Sequence, residues 1–343
     1  MLFLLALAQP ETCDVPPEDP HVYCTAENLR MRMDTKPNVR GFESMRAVQL
    51  AWRTLEVCGV VVLEGAIAPK TAETVHHAVE AHFEGVKARI RAFKPEILDP
   101  STRYSGKTSI QSVWPDAAER SKMRFEVKLP LEPPYLDEAL TSSGPVVSLL
   151  TTVLRSKMLE LDTFSYVVSM AGAPKQRWHD DAGSLFKDWG GEQIPPHGLV
   201  AAVALDALSE ESGPTEFVLG SHRSAFKGEL KGLPRASFAV DKGGVVLFDL
   251  RTKHRGGANE SPKDRAILYI SYVLDWWQDA INFKTPQTVG WDRHNTTRAR
   301  KLFRRLDAAA WTSQLEALLA ERGVDLDGLR STFHPYAYMD LYV

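Results

Sequence analysis

Hydrophobic positions change their spacing along the chain, and these changes predict its elements. Apolar residues recur with helical period over residues 41–57, and a second helix is predicted from Pro69 through residue 86. Between them, residues 59–65 form a Val-rich run bounded by glycines, which is typical of a buried strand. An apolar stripe over residues 297–323 predicts a further helix near the C terminus.

The middle of the chain, from about residue 107 to 274, has a different pattern of hydrophobic residues. Short apolar or alternating runs recur there, separated by Gly, Pro, Asn and Asp, at residues 164–170, 199–205, 215–219, 244–250 and 266–274. Many short strands with turn signals between them predict a sandwich or barrel rather than a parallel α/β sheet. We therefore expect a mainly β protein with a double-stranded β-helix (jelly-roll, cupin-like) core and flanking N- and C-terminal helices.

Domain boundaries follow from the same patterns. Residues 1–40 are rich in Pro and acidic residues and are predicted to form an extended N-terminal arm. Residues 41–343 are predicted to form a single domain, because no linker or internal repeat divides them. Within it we expect the jelly-roll core at about 107–280 and a helical extension at about 286–343.

The charge and the apolar content of the chain limit the classes of binding partner that we expect. The chain has 41 basic and 44 acidic residues, so it has no strong field that would attract nucleic acid. No stretch approaches the roughly 20 apolar residues of a membrane span. A small-molecule substrate is expected, and the oligomeric state is not indicated.

The three cysteines are relevant to the cellular compartment of the protein, because thiols and disulfides persist in different redox environments. Cys13, Cys24 and Cys58 have no C-x-x-C spacing, and they are most simply interpreted as reduced thiols of a cytoplasmic protein. Cys13 and Cys24 could pair in an exported one. The N terminus has an apolar run and an Ala-x-Ala step but no positive n-region, so export, organelle targeting and processing of residues 1–8 stay open.

A metal site is the sharpest chemical prediction. On an extended segment residues i and i+2 share a face, so His179 and Asp181 can bind one ion while Asp180 points away. The strand at 244–250 continues to His254, and its parity directs that histidine to the barrel interior. Two imidazoles and one carboxylate leave three adjacent positions open, as in non-haem iron(II) oxygenases.

Further motifs surround these residues in a definite order. They are the 59–65 strand followed by Ala68-Pro69-Lys70, Trp178-His179-Asp180-Asp181, Ser212-Gly213-Pro214-Thr215-Glu216, Leu219-Gly220-Ser221-His222-Arg223 and Phe248-Asp249 before His254. Together they resemble the phytanoyl-CoA dioxygenase family of Fe(II)/2-oxoglutarate-dependent oxygenases over about residues 59–274. The resemblance implies that His179, Asp181 and His254 are the catalytic metal ligands, and that Fe(II), 2-oxoglutarate and O2 are the cofactors.

The resemblance also implies how the far carboxylate of 2-oxoglutarate is bound. Arg265, 11 residues after His254, matches the family's basic residue. Many relatives have a hydroxyl residue two positions after the distal histidine, where this chain has Gly256. Tyr166, Thr215 and Ser271 are the candidates to replace that hydroxyl. The alternating segment 122–128 could reach an anionic substrate or the co-substrate, or carry solvated charges.

The implied reaction is hydroxylation, desaturation or cyclisation of a small metabolite with release of succinate and CO2. Asp181 stands where related halogenases bind halide, so its presence favours hydroxylation, desaturation or cyclisation over halogenation. A mobile lid is predicted over residues 180–197. Candidate substrate contacts are Trp178, Phe186, Trp189 and Trp276.

Two other functions stay open. One is a catalytically silent jelly-roll binding protein, and the other is a cupin-type metalloenzyme that does not use 2-oxoglutarate. The intact set of metal ligands disfavours the first. Arg265 disfavours the second, because a basic residue that enters the barrel needs an anionic partner.

Overall fold

Two β-sheets of unequal size, with helices packed on one face of the larger sheet, make up the described part of the chain. The computed structural model describes residues 19–33, 42–102, 117–129, 132–142, 144–156, 159–183, 185, 195–223 and 230–277. The helices are α1 Pro20–Tyr23, α2 Ala26–Leu29, α3 Phe42–Cys58, α4 Pro69–Phe93, α5 Glu138–Thr141 and α6 Gly144–Val153, with a 3-10 turn at Pro95–Leu98. None of the helices in these ranges has the length and apolar content needed to span a bilayer.

The strands form a large sheet in the order β1-β2-β9-β6-β11-β5-β4-β3 and a small sheet in the order β10-β7-β8. Their bounds are β1 Arg30–Arg32, β2 Val60–Glu64, β3 Ala117–Ser121, β4 Arg124–Lys128, β5 Leu159–Ser169, β6 Gly198–Ala204, β7 Thr215–Val218, β8 Arg235–Ser237, β9 Val245–Asp249, β10 His254–Gly256 and β11 Arg265–Leu274. The pair β1–β2 is parallel, and the other pairs are antiparallel. This two-sheet arrangement confirms the predicted jelly-roll class.

The large sheet is buried on both faces, which explains its continuous apolar strands. On β2, Val61 and Leu63 pack into the cluster formed with α3, α4 and α6. Val60 and Val62 alternate with them and pack toward the small sheet, in a cluster that contains Phe217 of β7. The second cluster lies between the sheets and forms the floor of the site described below.

Most predicted elements are present. The two N-terminal helices are α3 and α4, although α4 continues to Phe93. The five predicted strands correspond to β5, β6, β7, β9 and β11. The sheet begins earlier than residue 107, because β2 pairs with β9 in its middle. The helix predicted at 297–323 and the extension at 286–343 lie outside the described residues.

The N-terminal segment is more integrated than an extended arm. Residues 19–33 contain two short helices and strand β1, which adds to the edge of the large sheet beside β2. Burial of Leu29 and Met31 explains this docking, because both side chains pack into the core clusters. The remaining residues of the predicted arm, 1–18 and 34–40, lie outside the described ranges.

A disulfide joins Cys24 and Cys58, whose Cα atoms are 5.8 Å apart. The expectation of reduced thiols is therefore wrong for these two residues, and so is the alternative pairing of Cys24 with Cys13. Contacts between α1 and α3 bring Cys24, which follows α1, beside the last residue of α3. Disulfides persist in oxidising compartments, so the cytoplasmic expectation loses the support that it drew from the cysteines.

Reduction of this disulfide is expected to lower the free energy of unfolding by about 3–4 kcal/mol, because it would release a loop that spans a sequence separation of 34 residues. Urea denaturation with and without a phosphine reductant measures the change. The variant Cys24→Ala/Cys58→Ala is the control, since its stability should not respond to the reductant. Equal stability of the oxidised and reduced wild type would contradict the prediction.

Candidate active site

Three side chains converge where the small sheet meets the segment before residue 183. His179 and His254 form an antiparallel bridge, in which each backbone N–H donates to the other residue's carbonyl at 3.0 and 2.8 Å. The backbone N–H of Asp181 donates to the carbonyl of Leu250 at 3.0 Å. These contacts bring the ligand atoms of His179, Asp181 and His254 within 4.8 Å of one another.

Both imidazoles are oriented for metal binding. Nδ1 of His179 lies 2.9 Å from the carbonyl oxygen of Arg177, and Nδ1 of His254 lies 2.9 Å from that of Thr252. A proton on each Nδ1 satisfies these carbonyls and leaves each Nε2 free to bind a metal. Burial, together with the nearby His254, lowers the pKa of His179 and favours the neutral ligand form.

The carboxylate that lies beside the two histidines is that of Asp181. Asp180 points to the other side, where its Oδ2 lies 2.7 Å from Nζ of Lys253. The parity argument for His254 is wrong, however, because a turn separates β9 from β10. His254 reaches the site because β10 pairs with β7, opposite Phe217, and with His179.

A buried ion pair supports that turn. Nε and Nη2 of Arg251 donate to the two carboxylate oxygens of Asp249 at 2.8 and 2.6 Å. Both side chains are buried. Between them lies Leu250, whose carbonyl accepts the N–H of Asp181 and of Ala182. The pair therefore positions one of the three candidate metal ligands.

A cavity of about 110 Å³ opens over the three ligands. Its wall includes a row of charged residues on β4, namely Arg124, Glu126 and Lys128, which alternate with core residues Phe125 and Val127. Further lining residues are Arg120, Asp162, Thr163, Ser165, Val167, Gln176, Val200, Thr215, Leu250, Gly256, Tyr269, Ser271 and Trp277. The cavity thus joins the metal cluster to a polar wall.

Arg124 is the cation that faces this cavity from β4. Its side chain is 1% exposed, and its Nη2 donates to the carbonyls of Gly257 at 2.8 Å and Pro174 at 3.2 Å. Its Nε has no hydrogen-bond partner in the described structure. Burial, together with the charge of Arg265, lowers the pKa of Arg124 to about 10. The alternating 122–128 segment was the signal in the sequence for this residue.

Arg265 lies behind this wall. It is 7% exposed, its Nε donates to the carbonyl of Ser212 at 3.1 Å, and its Nη2 donates to that of Gly213. It is absent from the described residues that line the cavity. Burial lowers its pKa, and the nearby Tyr269 hydroxyl opposes that shift. Its predicted contact with 2-oxoglutarate stays a prediction.

The hydroxyl candidates separate into two groups. Thr215 and Ser271 line the cavity, and Thr215 Oγ1 lies 3.0 Å from the hydroxyl of Tyr269. Tyr166 lies on the opposite face of the large sheet, where its hydroxyl is 3.2 Å from Nδ1 of His82. Tyr269 did not emerge from the sequence, although its alternation with Ser271 on β11 was a usable signal.

The two aromatic substrate candidates that the structure describes, Trp178 and Trp276, do not line the cavity. The ring of Trp178 contacts two guanidinium groups, and its centroid lies 4.4 Å from Cζ of Arg255 and 5.2 Å from Cζ of Arg235. Trp276 is 62% exposed, whereas its neighbour Trp277 contributes to the cavity wall. Phe186 and Trp189, and with them most of the predicted lid, lie outside the described residues.

A jelly roll that carries two histidines and one carboxylate beside a polar cavity defines the class of non-haem iron enzymes. The family model described as Phytanoyl-CoA dioxygenase (PhyH) matches residues 55–267, more than half of the chain. The chain therefore belongs to the phytanoyl-CoA dioxygenase family, and the predicted resemblance is confirmed.

Solved structures resemble this chain at the level of the fold. One is the non-heme alpha ketoglutarate dependent epimerase SnoN from nogalamycin biosynthesis, at 17% identity and a TM-score of 0.45, covering 71% of this chain and 91% of that one. Another is AviO1 from Streptomyces viridochromogenes Tue57, at 18% identity and a TM-score of 0.48, covering 68% and 97%. A third is SnoN in complex with Fe3+, alpha ketoglutarate and nogalamycin RO, at 17% identity and a TM-score of 0.44, covering 72% and 97%.

Family membership supports the predicted cofactors, which are iron, 2-oxoglutarate and O2, and the residues present fit them. Imidazole nitrogen and carboxylate oxygen suit Fe(II). The buried Nε of Arg124, which has no partner in the described structure, suits an anionic co-substrate.

Proposed function

We propose that this protein is an Fe(II)/2-oxoglutarate-dependent oxygenase that hydroxylates, desaturates or cyclises a small polar metabolite. The observation that carries the proposal is the cavity, which joins His179, Asp181 and His254 to the buried guanidinium of Arg124. Within the described residues, no carboxylate pairs with Arg124 or Arg265. Two uncompensated buried cations would be costly unless an anionic ligand binds beside them.

When bound, iron and 2-oxoglutarate supply the oxidation: one atom of O2 enters succinate as CO2 leaves, and the other enters the product or leaves as water. His179, Asp181 and His254 would hold the metal, and Asp181 would neutralise one of its charges. Asp181 also retains the coordination position that a halide would need, which favours oxygenation over halogenation. Phe248, whose ring lies 4.9 Å from that of His254, helps to exclude water on the inner side.

The polar wall supports a polar substrate. Glu126 is buried and pairs with Lys128 at 2.7 Å and with Arg120 at 3.2 Å. All three residues line the cavity, and Thr163 and Ser165 lie nearby on its wall. A long acyl chain would exclude water from these charged groups and offer them no polar contact, whereas a small metabolite with hydroxyl, amine or carboxylate groups could replace that water. Of the aromatic residues considered for substrate binding, Trp277 replaces Trp276 in this proposal.

Anaerobic titration tests the proposal. Addition of Fe(II) and then 2-oxoglutarate should produce the weak visible charge-transfer band of the chelate. The Zn(II)-loaded protein is the control and should give no band, because Zn(II) has a filled d shell. Iron binding without a band would favour a cupin-type enzyme that does not use 2-oxoglutarate, and absence of iron binding would favour a silent binding protein.

A turnover screen then separates the reactions. Polar metabolites are tested for substrate-dependent succinate formation, and the products are analysed by mass. A gain of one oxygen atom indicates hydroxylation, and a loss of two hydrogen atoms indicates desaturation or cyclisation. Succinate formation that is coupled to neither mass change would contradict the proposed reaction.

A further inference from the structure

We infer that Arg124 binds the far carboxylate of 2-oxoglutarate, and that its guanidinium is able to approach the metal ligands because Gly256, on the same strand as His254, has no side chain. This inference rests on the proposed function. It assigns the second partner of that carboxylate to a cation on β4, in place of the hydroxyl candidates Thr215, Ser271 and Tyr166.

The state of the Arg124 side chain indicates that an anion belongs beside it. The guanidinium is almost fully buried, and its hydrogen bonds in the described structure go to two neutral carbonyls. Its Nε is buried without any partner. A buried cation with unused donors is unfavourable by itself, and a carboxylate would accept two parallel N–H···O bonds from it.

The position of the guanidinium is set by a missing side chain. A Cβ atom at Gly256 would overlap Nη1 of Arg124, far inside any real contact distance, and would also crowd Oε1 of Gln176. Gly256 lies two residues after His254 on β10, and the two residues line the same cavity as Arg124. The absence of a side chain at 256 therefore lets the cation approach the metal ligands.

Arg265 has a different position. Its guanidinium anchors the turn at Ser212 and Gly213, immediately before Thr215, and adds positive charge behind Arg124. Arg265 acts on the cavity indirectly. It holds the turn that precedes Thr215, and Tyr269, which lines the cavity, lies on the same strand as Arg265. Both arginines thus contribute to the same anion site, with Arg124 on the side of the cavity.

The first test uses Arg124→Met, which keeps volume and removes charge. The dissociation constant of 2-oxoglutarate is read from the charge-transfer band under anaerobic conditions and compared with that of 2-oxopentanoate, which has a methyl group in place of the far carboxylate. We expect Arg124→Met to weaken 2-oxoglutarate binding about 10- to 100-fold and 2-oxopentanoate binding little. Arg124→Lys should recover part of the difference. Arg255→Met is the matched control, since Arg255 pairs with Glu216 outside the cavity.

The second test acts from the other side of the contact and does not depend on the folding of an Arg124 variant. Gly256→Ser should displace the guanidinium and weaken 2-oxoglutarate binding while Fe(II) affinity is kept. In Arg124→Ala/Gly256→Ser the new hydroxyl occupies the vacated space, and this double variant should bind 2-oxoglutarate more tightly than Arg124→Ala alone.

Two results would overturn the inference. One is an unchanged preference for 2-oxoglutarate over 2-oxopentanoate in Arg124→Met, and the other is unchanged 2-oxoglutarate affinity in Gly256→Ser. A rise in the KM of the substrate alone would assign Arg124 to the substrate and would also overturn it. Failure of the wild type to form the band would instead refute the proposed function, so the two failures are distinguishable.

Discussion

Replacement of Asp181 by Ala is expected to weaken Fe(II) binding by more than about 100-fold and to abolish turnover, because direct ligands matter more than the groups that orient them. Asp181 is the carboxylate of the three-residue cluster, and its oxygen lies 3.6 Å from Nε2 of His254. Without it, two neutral imidazoles remain to hold a dication. Anaerobic iron titration and succinate formation measure the two losses.

The neighbouring aspartate provides a matched control. Asp180 pairs with Lys253, and each side chain is about one third exposed. Asp180→Ala should therefore lower the free energy of unfolding by about 1 kcal/mol or less and leave iron affinity unchanged. Both variants replace an aspartate by alanine in the same extended segment, and they differ in which side of that segment loses its carboxylate. Equal iron affinity in both variants would refute the assignment of the metal ligand.

Replacement of Asp249 by Ala is expected to lower the free energy of unfolding by about 3–5 kcal/mol, because it would remove the carboxylate that pairs with the buried guanidinium of Arg251. Burial alone would raise the pKa of Asp249, but Arg251 outweighs it and the pKa is lowered. The stabilisation is therefore present above the ordinary aspartate pKa and is lost as the pH falls through the lowered value.

Urea denaturation at neutral pH measures this effect. The double variant Asp249→Leu/Arg251→Met removes both charges and should recover most of the stability, since a well-packed apolar pair can replace a buried ion pair. A loss in the double variant as large as that in Asp249→Ala would show that packing, and not an unpaired charge, controls the turn at Leu250.

Features encoded by short-range patterns were predictable. The strand β2 and the helices α3 and α4 follow from apolar spacing, since each element buries the faces that its period dictates. The choice of Asp181 over Asp180 follows from side-chain alternation, which requires nothing beyond an extended segment.

Features that depend on the pairing of distant strands could not be predicted from the sequence. His254 reaches the cavity through its pairing with β7 and His179, so parity counted along β9 does not explain its position. The orientation of Arg124 depends on the place of β4 beside β5, and the cysteine pairing depends on the docking of α1 on α3. The missing hydroxyl at Gly256 was apparent from the sequence, but the contact of Gly256 with Arg124 depends on the fold.

The reciprocal backbone bridge between His179 and His254 has a consequence for assembly of the centre. Main-chain hydrogen bonds hold the two imidazoles together, so the entropy of bringing them close is lost during folding and not during metal uptake. The two imidazoles are therefore preorganised before the metal binds, and little of the free energy of metal binding is spent on ordering the chain. We therefore expect the fold around the site to persist when the metal is removed.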